Sequence, residues 1–209
     1  METRTRLYLA RHGETTLSAE YRYIGQTDVD INDNGLEQME RLKRRFQDQE
    51  IHAFFSSDLI RARKGAEIIA SCHGLEPIAC PEFREIHLGI WEGMTREEIL
   101  ERYPEEYAAR LQDLVHRRIE GGESFGDVRA RVMGKLSRIL VERAGGTILL
   151  LAHGGVNRVI LFDALKLDLA NLTRLDQSYG CINIIDYYDE GPVVKLVNAV
   201  LTDAIKKGA

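Results

Sequence analysis

A chain of 209 residues with 44% hydrophobic and 29% charged side chains holds enough apolar material for one core and lies far from disordered or fibrous compositions. Its formal charge of −5 makes nucleic acid a poor partner, although a local basic pocket would still attract one small phosphorylated ligand. Cys72, Cys80 and Cys181 form no CxxC pair and no Cys/His cluster, residues 1–6 show no secretory leader, and no stretch approaches the ~18 apolar residues of a membrane span, so a reduced, cytoplasmic, single-domain chain over residues 1–209 without membrane contact is expected.

Leu7 to Ala10 is an uninterrupted apolar run, as in a strand buried on both faces, and it ends directly on Arg11-His12-Gly13-Glu14. After the caps Asn32 and Asp33, the positions Leu36, Met39, Leu42 and Phe46 recur at helical spacing. Ala53-Phe54-Phe55 reads as a second buried strand, Ser56-Ser57-Asp58 as a turn, and a helix follows through about Cys72. A short strand is expected near residues 77–80. Thr95-Arg96-Glu97-Glu98 is a capping box opening a helix that ends or bends at Pro104, with helical excursion continuing to about Arg118.

Gly121-Gly122 breaks the chain, and Ser124 opens a long helix with Phe125, Val128, Val132, Leu136, Ile139 and Leu140 on one face. Ile148 to Ala152 is the clearest buried strand and stops at His153-Gly154-Gly155, after which a helix runs to about Leu165. Residues 182–188 and 193–200 read as paired strands across a turn at residues 189–191. Strands alternating with helices predict an α/β fold: one three-layer α/β/α domain with a mostly parallel sheet and helices on both faces, its ligands at the carboxyl ends of strands.

Two such ends carry histidines. A phosphate monoester bears about two negative charges near neutral pH, so attack on its phosphorus requires its oxygens to be neutralised first. Arg11 offers a planar fork of donors, and His12, with an unperturbed pKa of ~6.5, owns a lone pair that neighbouring cations preserve. Gly13 would permit close backbone approach to the ligand. The plain alternative is an Arg-His pair at a strand end, satisfied by hydrogen bonds. His153-Gly154-Gly155 repeats the arrangement at a helix N-terminus, which presents unpaired N–H groups to anions. In the basic run 61–64, Arg61 is the member directed toward the site, while Arg63 and Lys64 read as solvated. The stretch 83–93 mixes acids, histidine, aromatic and glycine without periodicity. Within it Glu85 is the candidate general acid, Trp91 reads as packing, and Glu92 as a bond to the loop backbone.

Taken together, these separated motifs resemble the histidine phosphatase superfamily in its phosphoglycerate-mutase-like branch. The resemblance runs through residues 11–15, 24–28, 34–35, 57–62, 83–93, 121–124 and 153–155. It implies that His12 is phosphorylated, that Arg11, Arg61 and His153 hold the transferred group, that Glu85 gives and takes the proton, and that Ile24, Gly25 and Gly154 border the substrate. The chain departs from the pattern at Ser18, where many members have Asn and the phosphate contact is in question, and at Asp58 and Gly65, where many have Pro and Thr. It shows neither the longer insertion after Glu85 nor the longer C-terminal tail of the mutases. That favours hydrolysis, as in small bacterial phosphatases similar to α-ribazole phosphatase.

The expected activity is therefore metal-independent and cofactor-free hydrolysis of a small phosphorylated metabolite, α-ribazole 5'-phosphate among the options. The sequence has no GxxxxGKS/T loop, no clustered aspartates for two metals and no GxGxxG after the first strand. The rivals are a mutase, which returns the phosphoryl group to another hydroxyl, and a non-catalytic scaffold that reads phosphorylated ligands. Oligomeric state is not legible at this stage, a homodimer being one option.

Overall fold

The computed structural model describes residues 4–202. Residues 1–3, part of the segment read as lacking a leader, and 203–209, the end of the expected domain, lie outside the described residues. The strands are β1 (Thr5–Arg11), β2 (Ala53–Ser56), β3 (Ile78–Ala79), β4 (Thr147–Ala152), β5 (Ile182–Tyr188) and β6 (Gly191–Ala199). The helices are α1 (Asp33–Phe46), α2 (Ile60–Ala70), α3 (Arg96–Arg102), α4 (Pro104–Gln112), α5 (Phe125–Glu142) and α6 (Gly154–Ala164).

The sheet order is β3-β2-β4-β1-β5-β6. Pairs β1–β4, β2–β4 and β2–β3 are parallel, and β5 runs antiparallel to both β1 and β6. Successive residues of a strand face opposite sides of the sheet, so an unbroken apolar run has to meet a helical layer on each side. Leu7, Leu9, Ile148 and Leu150 join Val128, Val132 and Leu136 of α5 and Val156, Val159 and Ile160 of α6. Tyr8, Ala10, Leu149 and Leu151 join Met39, Leu42 and Phe46 of α1 and Ala66 and Ile69 of α2. These are the three layers expected from the alternation of elements.

Local signals set the helix starts. The Asn32 side chain accepts from the Gly35 N–H at 2.8 Å, and both predicted serine/threonine starts form reciprocal capping boxes, Thr95 with Glu98 and Ser124 with Asp127. Each such cap contributes about 1 kcal/mol. Gly65 lets α2 pack closely, since a Cβ there would stand 2.7 Å from Leu151 Cδ2 and from Met39 Sδ. The excursion breaks at Pro104 as expected: α3 stops at Arg102 and Pro104 opens α4 as its first residue, because proline suits a first helical turn but cannot continue the preceding one. It departs from expectation at its end, since helix stops at Gln112 rather than near Arg118, where the Asp113 backbone leaves the helical region (φ −142°, ψ 79°). This segment carries a small core of its own, Trp91, Ile99, Tyr107 and Ile119. Cys72 is exposed, Cys80 and Cys181 are buried, and all three are free thiols. Among the described residues no helix is long and apolar enough to cross a membrane.

Candidate active site

Because β1 and β4 are parallel neighbours in register, with Arg11 opposite Ala152, their carboxyl ends bring His12 and His153 together, ring centroids 5.0 Å apart. His12 is 4% exposed and His153 fully buried. The backbone N–H of His12 still bonds to the Ala152 carbonyl at 3.1 Å, so the sheet itself fixes the histidine's position. His12 Nδ1 lies 2.7 Å from the Gly13 carbonyl oxygen. A carbonyl can only accept, so Nδ1 carries the proton and Nε2 keeps its lone pair. Burial holds the His12 imidazole well below its ordinary value, and the Arg11 and Arg61 cations lower it further. The sequence pointed to the cations, whereas desolvation is the larger cause.

His153 is the complementary case. The Arg61 Nε–H donates to its Nδ1 at 3.3 Å, which places the ring proton on Nε2, and that buried Nε2 has no hydrogen-bond partner among the described residues. Burial again lowers the pKa most, followed by Arg61. Arg61, 2% exposed, comes from the first turn of α2 and is fixed by donation to the Thr27 carbonyl at 2.8 Å and the Gly25 carbonyl at 2.6 Å. Gly25 can serve there because its φ is +53°, a conformation glycine adopts freely. Arg11 donates Nη1–H to the Gln177 carbonyl at 2.5 Å and stacks over the Tyr179 ring at 3.8 Å, while its buried Nε–H has no partner among the described residues.

Glu85 reaches the same place from the loop after β3. One carboxylate oxygen accepts from the Gly155 N–H in the first turn of α6, and the other from the Ile86 N–H, both at 2.9 Å. Arg11, His12, Ile24, Gly25, Arg61, Glu85 and Gly155 line one cavity of about 350 Å³. Gly154 stands just behind them, where a Cβ would lie 3.5 Å from Arg11 Cζ. Ser18 is not brought into this wall, because its hydroxyl donates to Glu14 Oε1 at 2.7 Å. Gly13 also departs from expectation: its close approach is to the backbone of α1, a Cβ there standing 2.7 Å from Gly35 Cα. Asp58 takes a bidentate grip on Arg84 at 2.8 and 2.6 Å. Trp91 is buried and Glu92 accepts from the Gln26 and Leu88 N–H groups, as the plain readings anticipated, whereas Lys64, read as solvated, pairs with Asp30 at 2.9 Å.

The rest of the cavity wall was not foreseen. Tyr23, Trp91, Tyr107, Leu111, Leu114 and Phe125 make its far side largely apolar, with Arg22 and Arg110 also lining the cavity. Arg158, four residues beyond Gly154 on the same helical face, lines it as well and donates Nε–H to the Leu175 carbonyl at 2.6 Å. Tyr179 packs against His12 with centroids 5.6 Å apart. The one signal for it is its place just before β5, which is useful only once β5 is known to pair with β1. Among the described residues no group of three His, Cys, Asp or Glu side chains is placed to hold a metal ion.

Residues 7–200 match the model of the histidine phosphatase superfamily, branch 1. A metal-independent phosphoserine phosphatase of Arabidopsis thaliana is 38% identical over 159 residues, 75% of this chain and 67% of its own. A bifunctional protein of Mycobacterium tuberculosis is 36% identical over 201 residues, 94% of this chain and 54% of its own, so this chain spans about half the length of that relative. An Escherichia coli structure provisionally named an α-ribazole-5'-P phosphatase superposes with a TM-score of 0.87 at 25% identity, covering 95% of this chain and 99% of that one.

Proposed function

This chain belongs to the histidine phosphatase superfamily, branch 1, and on that premise we propose that it hydrolyses the phosphomonoester of a small metabolite through a phosphorylated His12. The observation carrying the proposal is the division of labour between two buried neutral imidazoles. His12 has its proton engaged with the Gly13 carbonyl and its Nε2 lone pair free, while His153 offers an unpartnered N–H.

In the first step His12 Nε2 forms a bond to phosphorus as the ester P–O bond breaks, and Glu85 delivers a proton to the departing oxygen. Arg11, Arg61 and His153 hold the equatorial oxygens. The buried, unpartnered Arg11 Nε–H and His153 Nε2–H are donors suited to anionic oxygens that gather charge in the transition state. In the second step Glu85, now a carboxylate, takes a proton from water as that water attacks phosphorus and the N–P bond breaks. Throughout, the His12 Nδ1–H can keep its bond to Gly13, so the ring does not reorient between steps. Guanidinium and imidazole N–H groups supply the charge neutralisation that a divalent ion would otherwise provide.

The leaving group would occupy the far side of the cavity, between Ile24, Gly25 and the apolar residues Tyr23, Trp91, Tyr107 and Phe125. Such walls favour an alcohol bearing a ring over a short, fully polar one. An α-ribazole 5'-phosphate fits that description, and the likeness to the E. coli structure supports it. The test is to quench turnover of a radiolabelled phosphomonoester and map the label, with and without a chelator. Label on His12 and chelator-insensitive turnover are expected. Label on any other residue, or reversible loss of turnover with chelator, overturns the proposal.

A further inference from the structure

Glu85 sits on a loop at the cavity edge, outside the strands and helices, yet a proton donor must stand within hydrogen-bond reach of the leaving oxygen. The structure supplies one answer from behind. Arg131, on the face of α5 turned toward this loop, does not line the cavity. Its Nε–H and one Nη2–H grip the two oxygens of Glu123 at 2.7 and 2.8 Å. The other Nη2–H donates at 3.0 Å to the Glu85 carbonyl, which also accepts from Gln26 Nε2 at 3.0 Å. The two Nη1–H groups donate to the carbonyls of Glu82 and Arg84, each at 2.7 Å.

A guanidinium has five N–H bonds, and here each has one acceptor. Glu123 extends the grip by accepting from the His87 N–H at 3.0 Å and donating its own N–H to the His87 carbonyl at 2.8 Å. The chain is thereby tied on both sides of Glu85 to one rigid helix, while the Glu85 side chain is tied to the first turn of another. A lysine has three donors on a point charge and cannot satisfy three carbonyls and a bidentate carboxylate at once. Burial is the largest single influence on Glu123 and opposes its charge, but the hydrogen bond and charge of Arg131 together with the His87 N–H outweigh it and hold that carboxyl below its usual value. The pair therefore stays ionic through the neutral range.

We propose that Arg131 is a positioning residue for proton transfer, holding the main chain of residues 82–87 so that the Glu85 carboxyl stands at the ester oxygen. The inference rests on the reading of Glu85 as the acid, and leaving-group chemistry separates the two. An alkyl ester needs its oxygen protonated as the P–O bond breaks, whereas the nitrophenolate of p-nitrophenyl phosphate departs with the electron pair alone. The value of kcat/KM reports events up to phosphoenzyme formation, and kcat also includes water attack, which needs Glu85 as base.

For Glu85→Gln, kcat/KM on an alkyl phosphate should fall by roughly 10²–10⁴ while p-nitrophenyl phosphate is far less affected. Arg131→Lys should copy this pattern more weakly, with a loss of about tenfold or more on the alkyl ester against about threefold or less on the aryl ester. With p-nitrophenyl phosphate it should also produce a burst of nitrophenolate, because the second step slows. Inhibition by vanadate should be unchanged. Equal losses on both esters, or none on either, would overturn the positioning role while leaving Glu85 as the acid. Equal losses in Glu85→Gln itself would remove both ideas. If Arg131→Lys does not fold, Glu123→Gln, which weakens the same grip from its other end, decides by the same ratio.

Discussion

The two ends of the cavity are built on different principles. At the phosphoryl end the polar groups stand on the central sheet or on a helix packed on it: His12 follows β1 and donates its N–H to Ala152, Arg61 rises from α2's first turn and donates to the Gly25 and Thr27 carbonyls of a neighbouring loop, and His153 joins β4 to α6. At the leaving-group end, much of the wall comes from Trp91, Tyr107, Leu111, Leu114 and Ile119, with Tyr23 and Phe125 beside them, and Trp91, Tyr107 and Ile119 pack with Ile99 into a small core of their own. The first end cannot change without disturbing sheet register. The second can vary its surface while the sheet stays as it is, and this separates generic phosphate chemistry from choice of alcohol.

The largest predicted effect tests the invariant end. His12→Ala removes a ring nitrogen whose lone pair the Gly13 bond leaves free, and kcat/KM should fall by ~10⁴-fold or more, equally for every phosphomonoester tried. Thermal stability should hold, since the imidazole's one bond is to the neighbouring Gly13 carbonyl. A loss that varied strongly with the alcohol would erase the distinction between the two ends.

The far wall should answer in the opposite way. Leu111 lines the cavity yet is 57% exposed, so Leu111→Ala leaves the fold intact. It should lower kcat/KM by about fivefold for a ring-bearing alkyl phosphate and leave phosphoserine nearly unchanged, because only the apolar alcohol uses that surface. A uniform loss over both substrates, measured side by side, would mean that the wall shapes the reacting centre rather than the leaving group.

What the sequence made legible follows the same division. Arg11, His12 and His153 were readable because each ends a run of apolar residues that only a doubly covered strand explains, and because parallel strands collect their carboxyl ends on one rim. Arg61 could be selected from its basic run by its position at a helix start. Tyr179 and Arg158 were hidden because their place depends on an antiparallel neighbour and on a helical face that no local pattern announces. Ser18 illustrates the reverse: a residue placed in the site by resemblance whose hydroxyl the structure gives to Glu14 instead. The excursion was legible as helix but not as wall, since which face of α4 meets the cavity is decided by packing around Trp91.

The smallest predicted effect concerns what the phosphoryl end demands of the fold. His12 and His153 titrate well below 6.5 when folded, chiefly because burial disfavours the charged ring, whereas in the unfolded chain they take up protons near 6.5. Above that value both states are neutral and neither histidine affects stability. As pH falls below it, the unfolded chain binds protons that the native site refuses, so native stability declines, by at most about 1.4 kcal/mol per pH unit for each ring, until the folded values are reached. The depressed carboxylates, such as Asp58 beside Arg84 and Asp186 beside Arg6, lie below 3.8 in the fold and release their stabilisation only at lower pH, so the two windows are separable. Melting curves from about pH 7 to about pH 5 should therefore fall less steeply for His12→Gln than for the natural chain. Parallel curves would show that His12 takes up its proton as readily in the fold as in the unfolded chain, so that burial does not preserve the lone pair with which it attacks phosphorus as pH falls through this window.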